Sequence, residues 1–290
     1  MSIKVNNAVI MAAGTSSRFA PLSYEMPKAL IEVKGEVLIE RQIRQLKDAG
    51  IDEILLVTGY MADKFAYLKD SFGVELVHNP DYLTRNNNST IWAAKDRLAN
   101  TYICSSDNYF AENPFESEVD SPYYAAVYSE GPTAEWCLTE DADGWIDSVV
   151  IGGSDAWYML GHAFWDERFS SRFRQILEET YRQPETAGKL WEAIYMQHLD
   201  ELKLKIRRYR PDVIFEFDTL DELRLFDESY KNDTRSAIMK ALAKKLGCTE
   251  AEMTEVTAFK DADNSAAGMR FMALGGRFEY RYSTGELKSI

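Results

Sequence analysis

Cysteine is scarce in this sequence of 290 residues, where it occurs only as Cys104, Cys137 and Cys248. No two of the three form a C-x-x-C pair, and the opening residues MSIKVNN lack the apolar core of a signal peptide. Small secreted domains depend on many disulfides and structural zinc sites on paired cysteines, so we expect neither feature. The sequence therefore predicts a protein of the reducing cytoplasm.

Long apolar runs and positive charge are scarce as well. No apolar run approaches the roughly 20 residues of a helix that spans a bilayer. Lysine and arginine together number 33 against 47 aspartates and glutamates, which gives a formal net charge of −14. Nucleic acids and acidic membrane surfaces require a basic footprint, so we expect neither as the main partner. The 46% of apolar residues is enough for a sizeable core, and oligomeric state is left open.

Close to its start the chain does contain a short apolar run that ends at a glycine. Residues 8–13 are too few to span a membrane and precede a turn signal, which predicts a buried strand. Gly14 lets a ligand approach the backbone, and the amides and hydroxyls of residues 15–17 can donate to anionic oxygens. Arg18 and Lys28 supply two cations, which favours a polyphosphate site over a plain turn. The stretch is neither a Walker loop nor a dinucleotide fingerprint.

Further along, apolar strands alternate with amphipathic helices. Helices are predicted over residues 36–49 and 62–72, each followed by a glycine, and strands over residues 53–58, 74–77 and 102–106. Such alternation is typical of a parallel α/β sheet, whose ligands bind at the carboxyl ends of the strands. The glycine loop is predicted to lie at such an end.

Carboxylates follow two of the predicted strands. Asp107 comes directly after one strand, where it is a suitable oxygen ligand for Mg²⁺, although a turn-capping aspartate is the common alternative. Glu216 and Asp218 alternate at the end of a strand predicted over residues 213–217, so both should point to the same side. Asp218 could instead cap the helix that follows. A polar run, TRNNNST, opens a helix predicted over residues 91–98, with Ser89 as its N-cap.

The second half of the chain concentrates its aromatic residues in shorter, antiparallel-looking strands. These strands are predicted over residues 124–128, 136–139, 145–151 and 157–160. Helices are predicted over residues 167–182, 185–202 and 235–246, and a hairpin over residues 270–282 that turns at Gly275 and Gly276. Aromatic ring faces with a nearby carboxylate suit a quaternary ammonium group, which has no hydrogen to donate. Core filling is the alternative role for each ring.

Three segments carry a resemblance to known enzymes. Residues 12–30, AAGTSSRFAPLSYEMPKAL, resemble the signature of nucleotidyltransferases that couple a nucleoside triphosphate to a phosphorylated small molecule, with Ser23 where many relatives have threonine. Residues 134–165 and 189–209 resemble the acceptor region of the bacterial CTP:phosphocholine cytidylyltransferases. The resemblance covers residues 5–229 and implies a Rossmann-like, three-layer α/β fold with a mixed, mainly parallel sheet.

The resemblance also implies a role for individual residues. Two cations act in catalysis, on the reacting phosphoryl oxygens and on the leaving pyrophosphate respectively: Lys28 and Arg18. One group contacts the nucleotide: Ala12, Ala13, Gly14, Thr15, Asn88 and Ser89. Two carboxylates meet at the triphosphate and bind Mg²⁺: Asp107 and Asp218. The last group surrounds the acceptor with an aromatic box and an anionic wall: Trp136, Trp191, Glu192, Tyr195, Tyr158 and Glu216.

These roles predict a magnesium-dependent transfer from CTP to phosphocholine that gives CDP-choline and pyrophosphate. Two alternatives remain open: a cytidylyltransferase for aminoethylphosphonate or another small phosphorylated amino alcohol, and a catalytically silent nucleotide-binding scaffold. We predict two domains, a nucleotidyltransferase domain over residues 1–229 and a small α+β appendage over residues 230–290. The appendage faintly resembles the opening of a choline-kinase-like fold but lacks the rest of a kinase, so we expect it to pack on the main domain or to mediate dimerisation.

Overall fold

The computed structural model describes residues 2–261 and 266–290 of the chain. In chain order its strands are β1 (Ile3–Lys4), β2 (Asn7–Ala12), β3 (Glu32–Val33), β4 (Glu36–Val37), β5 (Ile54–Thr58), β6 (Glu75–His78), β7 (Thr101–Ser105), β8 (Asn108–Phe110), β9 (Glu118–Val119), β10 (Tyr123–Glu140), β11 (Ile146–Trp165), β12 (Lys205–Tyr209), β13 (Ile214–Glu216), β14 (Thr254–Lys260), β15 (Ala266–Ala273), β16 (Gly276–Arg281) and β17 (Leu287–Ser289). The α-helices are α1 (Leu22–Glu25), α2 (Leu38–Asp48), α3 (Tyr67–Phe72), α4 (Asn88–Ala94), α5 (Glu167–Thr180), α6 (Pro184–Ala187), α7 (Trp191–Met196), α8 (Leu220–Phe226) and α9 (Ala237–Leu246).

The chain divides into two compact units. The first comprises Met1–Gly14 and Ile39–Glu216, and the second comprises Thr15–Leu38 and Phe217–Ile290. The second unit thus groups the segment that follows the glycine with the C-terminal part of the chain. Compact units need not coincide with domains, so the predicted boundary at residue 229 stays a prediction.

A mixed sheet forms the centre of the first unit. Its strand order is β12-β10-β11-β7-β2-β5-β6, in which β2 pairs in parallel with β5 and β7, β5 with β6, and β10 with β12. The strand β11 is antiparallel to β7 and β10. All five residues of β5 are buried, as expected of a parallel strand covered on both faces, and α4 and α5 pack on the sheet. The predicted mixed, mainly parallel α/β sheet is confirmed.

Two helix predictions in the first unit need correction. Ser89 does not cap a helix, because α4 begins at Asn88 and its N-cap position is Asn87. The helix predicted over residues 185–202 is two short helices, α6 and α7, separated by Gly188–Leu190. The side-chain amide of Asn88 donates to backbone carbonyls of residues 186, 187 and 189, a tertiary contact that holds this break and that helical periodicity cannot indicate.

The four short strands predicted over residues 124–160 belong to two long antiparallel strands, β10 and β11. Their pairing shifts register repeatedly, and the turn-like residues Gly152 and Asp155 adopt positive φ angles of 81° and 53° inside β11. Such irregularities bend and twist a strand without ending it, so Gly152 and Asp155, residue types that are typical of turns, lie here at bulges within one strand.

The second unit contains an antiparallel sheet in the order β14-β15-β16-β17. The predicted hairpin is confirmed as β15 and β16, although Leu274 and Gly275, both at positive φ, form its turn. The predicted helix is confirmed as α9, which Ser236 caps by accepting a hydrogen bond from the Met239 amide. The C-terminal part of the chain is therefore α+β, as expected.

The C-terminal part of the second unit packs on residues 15–38. The ring of Tyr282 stacks on that of Tyr24 with centroids 4.0 Å apart, and the hydroxyl of Tyr230 donates to the Glu32 carbonyl at 2.6 Å. The Ile238 amide at the start of α9 donates to Glu25 at 3.2 Å. Residues 15–38 are thus held by contacts from 198 to 258 positions further along the chain. None of the helices in the described parts of the chain has the length and apolar character needed to cross a membrane.

Candidate active site

The glycine loop begins where the buried strand β2 ends. Ala12 and Ala13 are buried and Gly14 is exposed. Among the described residues no atom lies within 4 Å of a Cβ built on Gly14, and its backbone is not in the left-handed region. Neither packing among the described residues nor backbone conformation therefore requires glycine here, and the close approach of a ligand to Gly14 stays a prediction. In the second unit Thr15 follows, and Ser16 is held at φ 46°, a left-handed conformation that is uncommon outside glycine.

The two signature cations have different surroundings within the second unit. Arg18, on a 3₁₀ turn over Ser17–Phe19, is 75% exposed and its guanidinium lies 2.7 Å from a carboxylate oxygen of Asp218. Lys28, on a 3₁₀ turn over Lys28–Leu30, is only 4% exposed, and its ammonium lies 5.4 Å from the centre of the Phe19 ring. The exposed side chain of Arg18 can reorient toward an anion that arrives from solvent. The side chain of Lys28 is held in one position by the residues that enclose it.

Asp218 does not cap the helix that follows it. Thr219 caps α8 in a reciprocal capping box with Glu222, and the Asp218 amide donates to the Glu222 carboxylate at 2.6 Å. The side chain of Asp218 instead pairs with Arg18. The strand β13 ends at Glu216, so the predicted strand alternation of Glu216 and Asp218 does not extend to Asp218.

Asp107 lies in the turn between β7 and β8, at the carboxyl end of a central strand of the first unit. Within the described residues, no group of three or more His, Cys, Asp or Glu side chains could hold a metal ion. A pair of carboxylates completed by substrate phosphates and water is a donor set that suits Mg²⁺, which prefers oxygen and keeps several waters. The donors therefore fit the ion, and the shared site of Asp107 and Asp218 stays a prediction.

The side chains of Asn88 and Ser89 are buried, with exposed fractions of 0% and 1%. The Asn88 amide donates to the backbone of residues 186–189, and the Ser89 hydroxyl donates to the Asn86 carbonyl while it accepts from Asn79. Both side chains are thus engaged within the protein. Their predicted contact with the nucleotide stays a prediction.

Two members of the predicted aromatic box lie in the core. Trp191 and Tyr195 are 1% and 0% exposed, and Trp191 packs edge-on against Trp165 with ring centres 4.9 Å apart. Trp136 and Tyr158, on β10 and β11, are only partly buried and remain accessible from solvent. The accessible rings are therefore those on the long hairpin.

Glu192, on the first turn of α7, is a partly enclosed carboxylate with a donor on each oxygen. The Tyr124 hydroxyl donates to one oxygen and the Asn87 amide to the other, each at 3.2 Å. Burial raises the pKa of Glu192 to about 7, against hydrogen bonds from its own amide, Asn87 and Tyr124 that lower it. A positive charge close to this carboxylate would favour its ionised form and so lower its pKa.

Glu216 belongs to the same surroundings. It accepts a hydrogen bond from Asn108 at 3.4 Å. Burial, followed by the charges of Glu192 and Glu216, raises the pKa of Tyr124 well above its ordinary value. Burial, followed by the charges of Glu135 and Glu216, also raises the pKa of Tyr158. The charges of Glu192 and Glu216 thus both act on the Tyr124 hydroxyl, and the predicted role of the two carboxylates in binding the acceptor stays a prediction.

Sequence reasoning missed two residues of this region. Tyr124 stacks on Trp191 with ring centres 5.6 Å apart and donates to Glu192. The sequence pattern indicated only that Tyr124 belongs to a strand. The sequence did not distinguish Asn87 from the asparagines on either side of it. Neither residue carries a local signal for its role, because both act through partners more than 60 positions away.

Comparison with known proteins agrees with this geometry. The MobA-like NTP transferase domain matches residues 8–111. A choline-phosphate cytidylyltransferase of Streptococcus pneumoniae is 31% identical over 226 residues, which cover 78% of this chain and 99% of that protein. A 2-aminoethylphosphonate cytidylyltransferase of Lancefieldella rimae is 35% identical over 228 residues, covering 77% and 93% respectively. The solved structure of the CTP:phosphocholine cytidylyltransferase from S. pneumoniae matches with a TM-score of 0.75 at 32% identity, covering 79% of this chain and all of that one.

The glycine loop follows a central parallel strand, and Arg18 and Lys28 follow it in the sequence. The similarities show that this chain is a nucleotidyltransferase. Its similarity to relatives over almost their full length identifies a particular family within this class. The chain belongs to the family of bacterial cytidylyltransferases that includes the S. pneumoniae and L. rimae proteins.

Proposed function

We propose that this enzyme transfers a cytidylyl group from CTP to phosphocholine, releasing CDP-choline and pyrophosphate. The observation that carries the choice of acceptor is the combination of solvent-accessible rings, Trp136 and Tyr158, with the carboxylates Glu192 and Glu216, whose charges act on the tyrosines of this region. A quaternary ammonium group has no hydrogen to donate, so ring faces and a nearby negative charge are what recognise it. The 31% identity to a choline-phosphate cytidylyltransferase supports the same acceptor.

In this reaction a phosphate oxygen of the acceptor attacks the α-phosphorus of CTP. A new phosphorus–oxygen bond forms, and the bond from the α-phosphorus to the bridging oxygen breaks and leaves its electron pair on pyrophosphate. The acceptor phosphate is already largely ionised near neutral pH, so no nucleophilic side chain or general base is required. Alignment of the two substrates contributes about 7 to 11 kcal/mol to lowering the barrier.

The protein's own groups neutralise the charge of the phosphates. Lys28, preorganised by burial, binds oxygens at the reacting centre, and exposed Arg18 binds the leaving pyrophosphate. Amides of the Gly14 loop bind the triphosphate. Asp107 and Asp218 would hold Mg²⁺, which when bound supplies further neutralisation of the phosphate oxygens.

A pyrophosphate-release assay with CTP and a panel of phosphorylated amino alcohols tests the proposal. We expect turnover with phosphocholine in excess of that with any other member of the panel. Silence across the panel would refute the enzyme function and support a nucleotide-binding scaffold.

The second candidate acceptor is 2-aminoethylphosphonate, because a relative named for that activity is 35% identical to this chain. A primary ammonium group donates hydrogen bonds, so it depends on carboxylates more than on ring faces. Trp136→Ala distinguishes the two candidates: an aromatic site predicts a larger loss of kcat/KM for phosphocholine than for phosphoethanolamine. Equal losses for both acceptors would favour the second candidate.

A further inference from the structure

Three consecutive asparagines, Asn86, Asn87 and Asn88, bind the segment that contains Glu192. Asn86 donates to the Gly188 carbonyl at 3.2 Å, and Asn88 to the backbone of residues 186–189. Both contacts are to main chain. Asn87 differs from its neighbours because it also contacts a functional carboxylate.

The side chain of Asn87 makes two contacts with the start of α7. Its oxygen accepts from the Trp191 amide at 2.7 Å, and its nitrogen donates to the Glu192 carboxylate at 3.2 Å. The residue at the N-cap position of α7, Leu190, makes no side-chain cap, so Asn87, from the N-cap position of α4, accepts one of the free amides at the start of α7 instead. Because an amide has both a donor and an acceptor, it can fix the backbone and the carboxylate together.

We infer that Asn87 is a positioning residue that keeps Glu192 oriented and ionised, and so sets the preference of the acceptor site for a positively charged substrate. This inference rests on the proposed function. Asn87 acts through Glu192 and does not touch the substrate itself.

The hydrogen bond that the Asn87 amide donates to Glu192 affects the ionisation of this carboxylate. Glu192 is enclosed enough for burial to hold its pKa near 7, so a modest change in stabilisation alters the ionised fraction at neutral pH. The groups that act on its carboxylate are Asn87, Tyr124 and its own backbone amide, and the charge of Glu216 acts on the Tyr124 hydroxyl as well. Of these, Asn87 alone also fixes the Trp191 backbone.

The decisive variant is Asn87→Leu, which preserves approximate volume and removes the donor. Its control is Asn86→Leu, which removes a neighbouring asparagine that bonds only to main chain. Each enzyme is assayed with phosphocholine and with 3,3-dimethylbutyl phosphate, the uncharged isostere. Both acceptors carry the same titrating phosphate, so the ratio of their kcat/KM values isolates recognition of the positive charge.

We expect Asn87→Leu to lower that ratio about tenfold at pH 7, the loss typical of a hydrogen bond to a charged group, and the KM for CTP to stay unchanged. The ratio should recover toward the wild-type value at pH 9, where Glu192 ionises without help. Asn86→Leu should leave the ratio unchanged at both pH values. A purely structural defect would lower the ratio equally at pH 7 and pH 9, and that result would overturn the inference.

A second variant and a direct measurement keep the inference testable if Asn87→Leu does not fold or has no activity. Asn87→Ser retains an oxygen near the Trp191 amide but is too short to reach Glu192, and it should show the same pH-dependent loss. Carboxyl-carbon NMR should show a higher pKa for Glu192 in either variant, and an unchanged pKa overturns the inference without any turnover. Wild-type enzyme that is inactive with phosphocholine would refute the proposed function instead.

Discussion

At the residue scale, Lys28 is a cation held in place before any substrate binds. It is 4% exposed and lies over the Phe19 ring, on a 3₁₀ turn that begins after Pro27. A preorganised charge costs no reorganisation when negative charge develops, which is the property that the role proposed for Lys28 in phosphoryl transfer requires.

Replacing Lys28 by methionine, which is similar in length and uncharged, should lower kcat by about 10²- to 10³-fold. Circular dichroism should show an intact fold, because an apolar side chain suits an enclosed position. The exposed Lys64→Met serves as control and should keep wild-type turnover. Near-normal turnover of Lys28→Met would contradict the assigned role.

Glu192 makes stability depend on pH. Its pKa is about 7 in the folded protein against roughly 4.3 in an unfolded chain, so folding favours the protonated form. Its contribution to stability is therefore fully present below about pH 4 and is lost as pH rises through 7. Relative to Glu192→Gln, the free energy of unfolding of wild type should fall by roughly 3 kcal/mol at most between pH 4.5 and pH 8.5. Urea unfolding of both proteins measures this, and parallel pH curves would contradict it.

At the element scale, the C-terminal part of the second unit holds the segment that carries Arg18 and Lys28. The hydroxyl of Tyr230 donates to the Glu32 carbonyl, and Arg235 donates to the same carbonyl at 3.0 Å. The match to the S. pneumoniae relative covers 99% of that protein but only 78% of this chain. About a fifth of this chain therefore lies outside the match. The contacts of this C-terminal region give it a structural role within the second unit.

Tyr230→Phe should lower the free energy of unfolding by about 1 kcal/mol, because the Glu32 carbonyl loses the hydroxyl that donates to it while the buried ring remains. Tyr67→Phe is a matched control, since that hydroxyl bonds to Glu40 at an exposed position. Guanidinium unfolding curves give both values. Equal stabilities of the two variants would show that the Tyr230 contact contributes nothing specific.

At the scale of the whole molecule, the proposed magnesium ligands Asp107 and Asp218 lie 111 positions apart in the sequence. Residues that hold one ion are not independent, so the effects of removing them should not add. Each of Asp107→Asn and Asp218→Asn should raise the Mg²⁺ concentration needed for half-maximal turnover, and the double variant should lose less than the sum of the single losses. The exposed Asp212→Asn is the control. Additive losses would indicate that the two carboxylates do not share an ion.

The alternation of strands and helices could be predicted from the sequence, because buried strands such as β5 and amphipathic helices such as α2 have local periodic signals. The break between α6 and α7 and the continuity of β10 and β11 could not, because side-chain contacts and register shifts over long distances decide them. Helical propensity favours one continuous helix over residues 185–202, whereas hydrogen bonds from Asn88 to the backbone hold the segment as two short helices.

By itself the sequence determined the sheet class, the loop of Gly14, Arg18 and Lys28, and the resemblance that marks a nucleotidyltransferase. These features are local, since residues close in the chain form them. Only the tertiary structure decided which of the candidate rings and amides are enclosed, which residue supports Glu192, and that residues 15–38 pack with the C-terminal part of the chain. Those outcomes depend on burial and hydrogen bonding between distant segments, for which composition and spacing carry no signal.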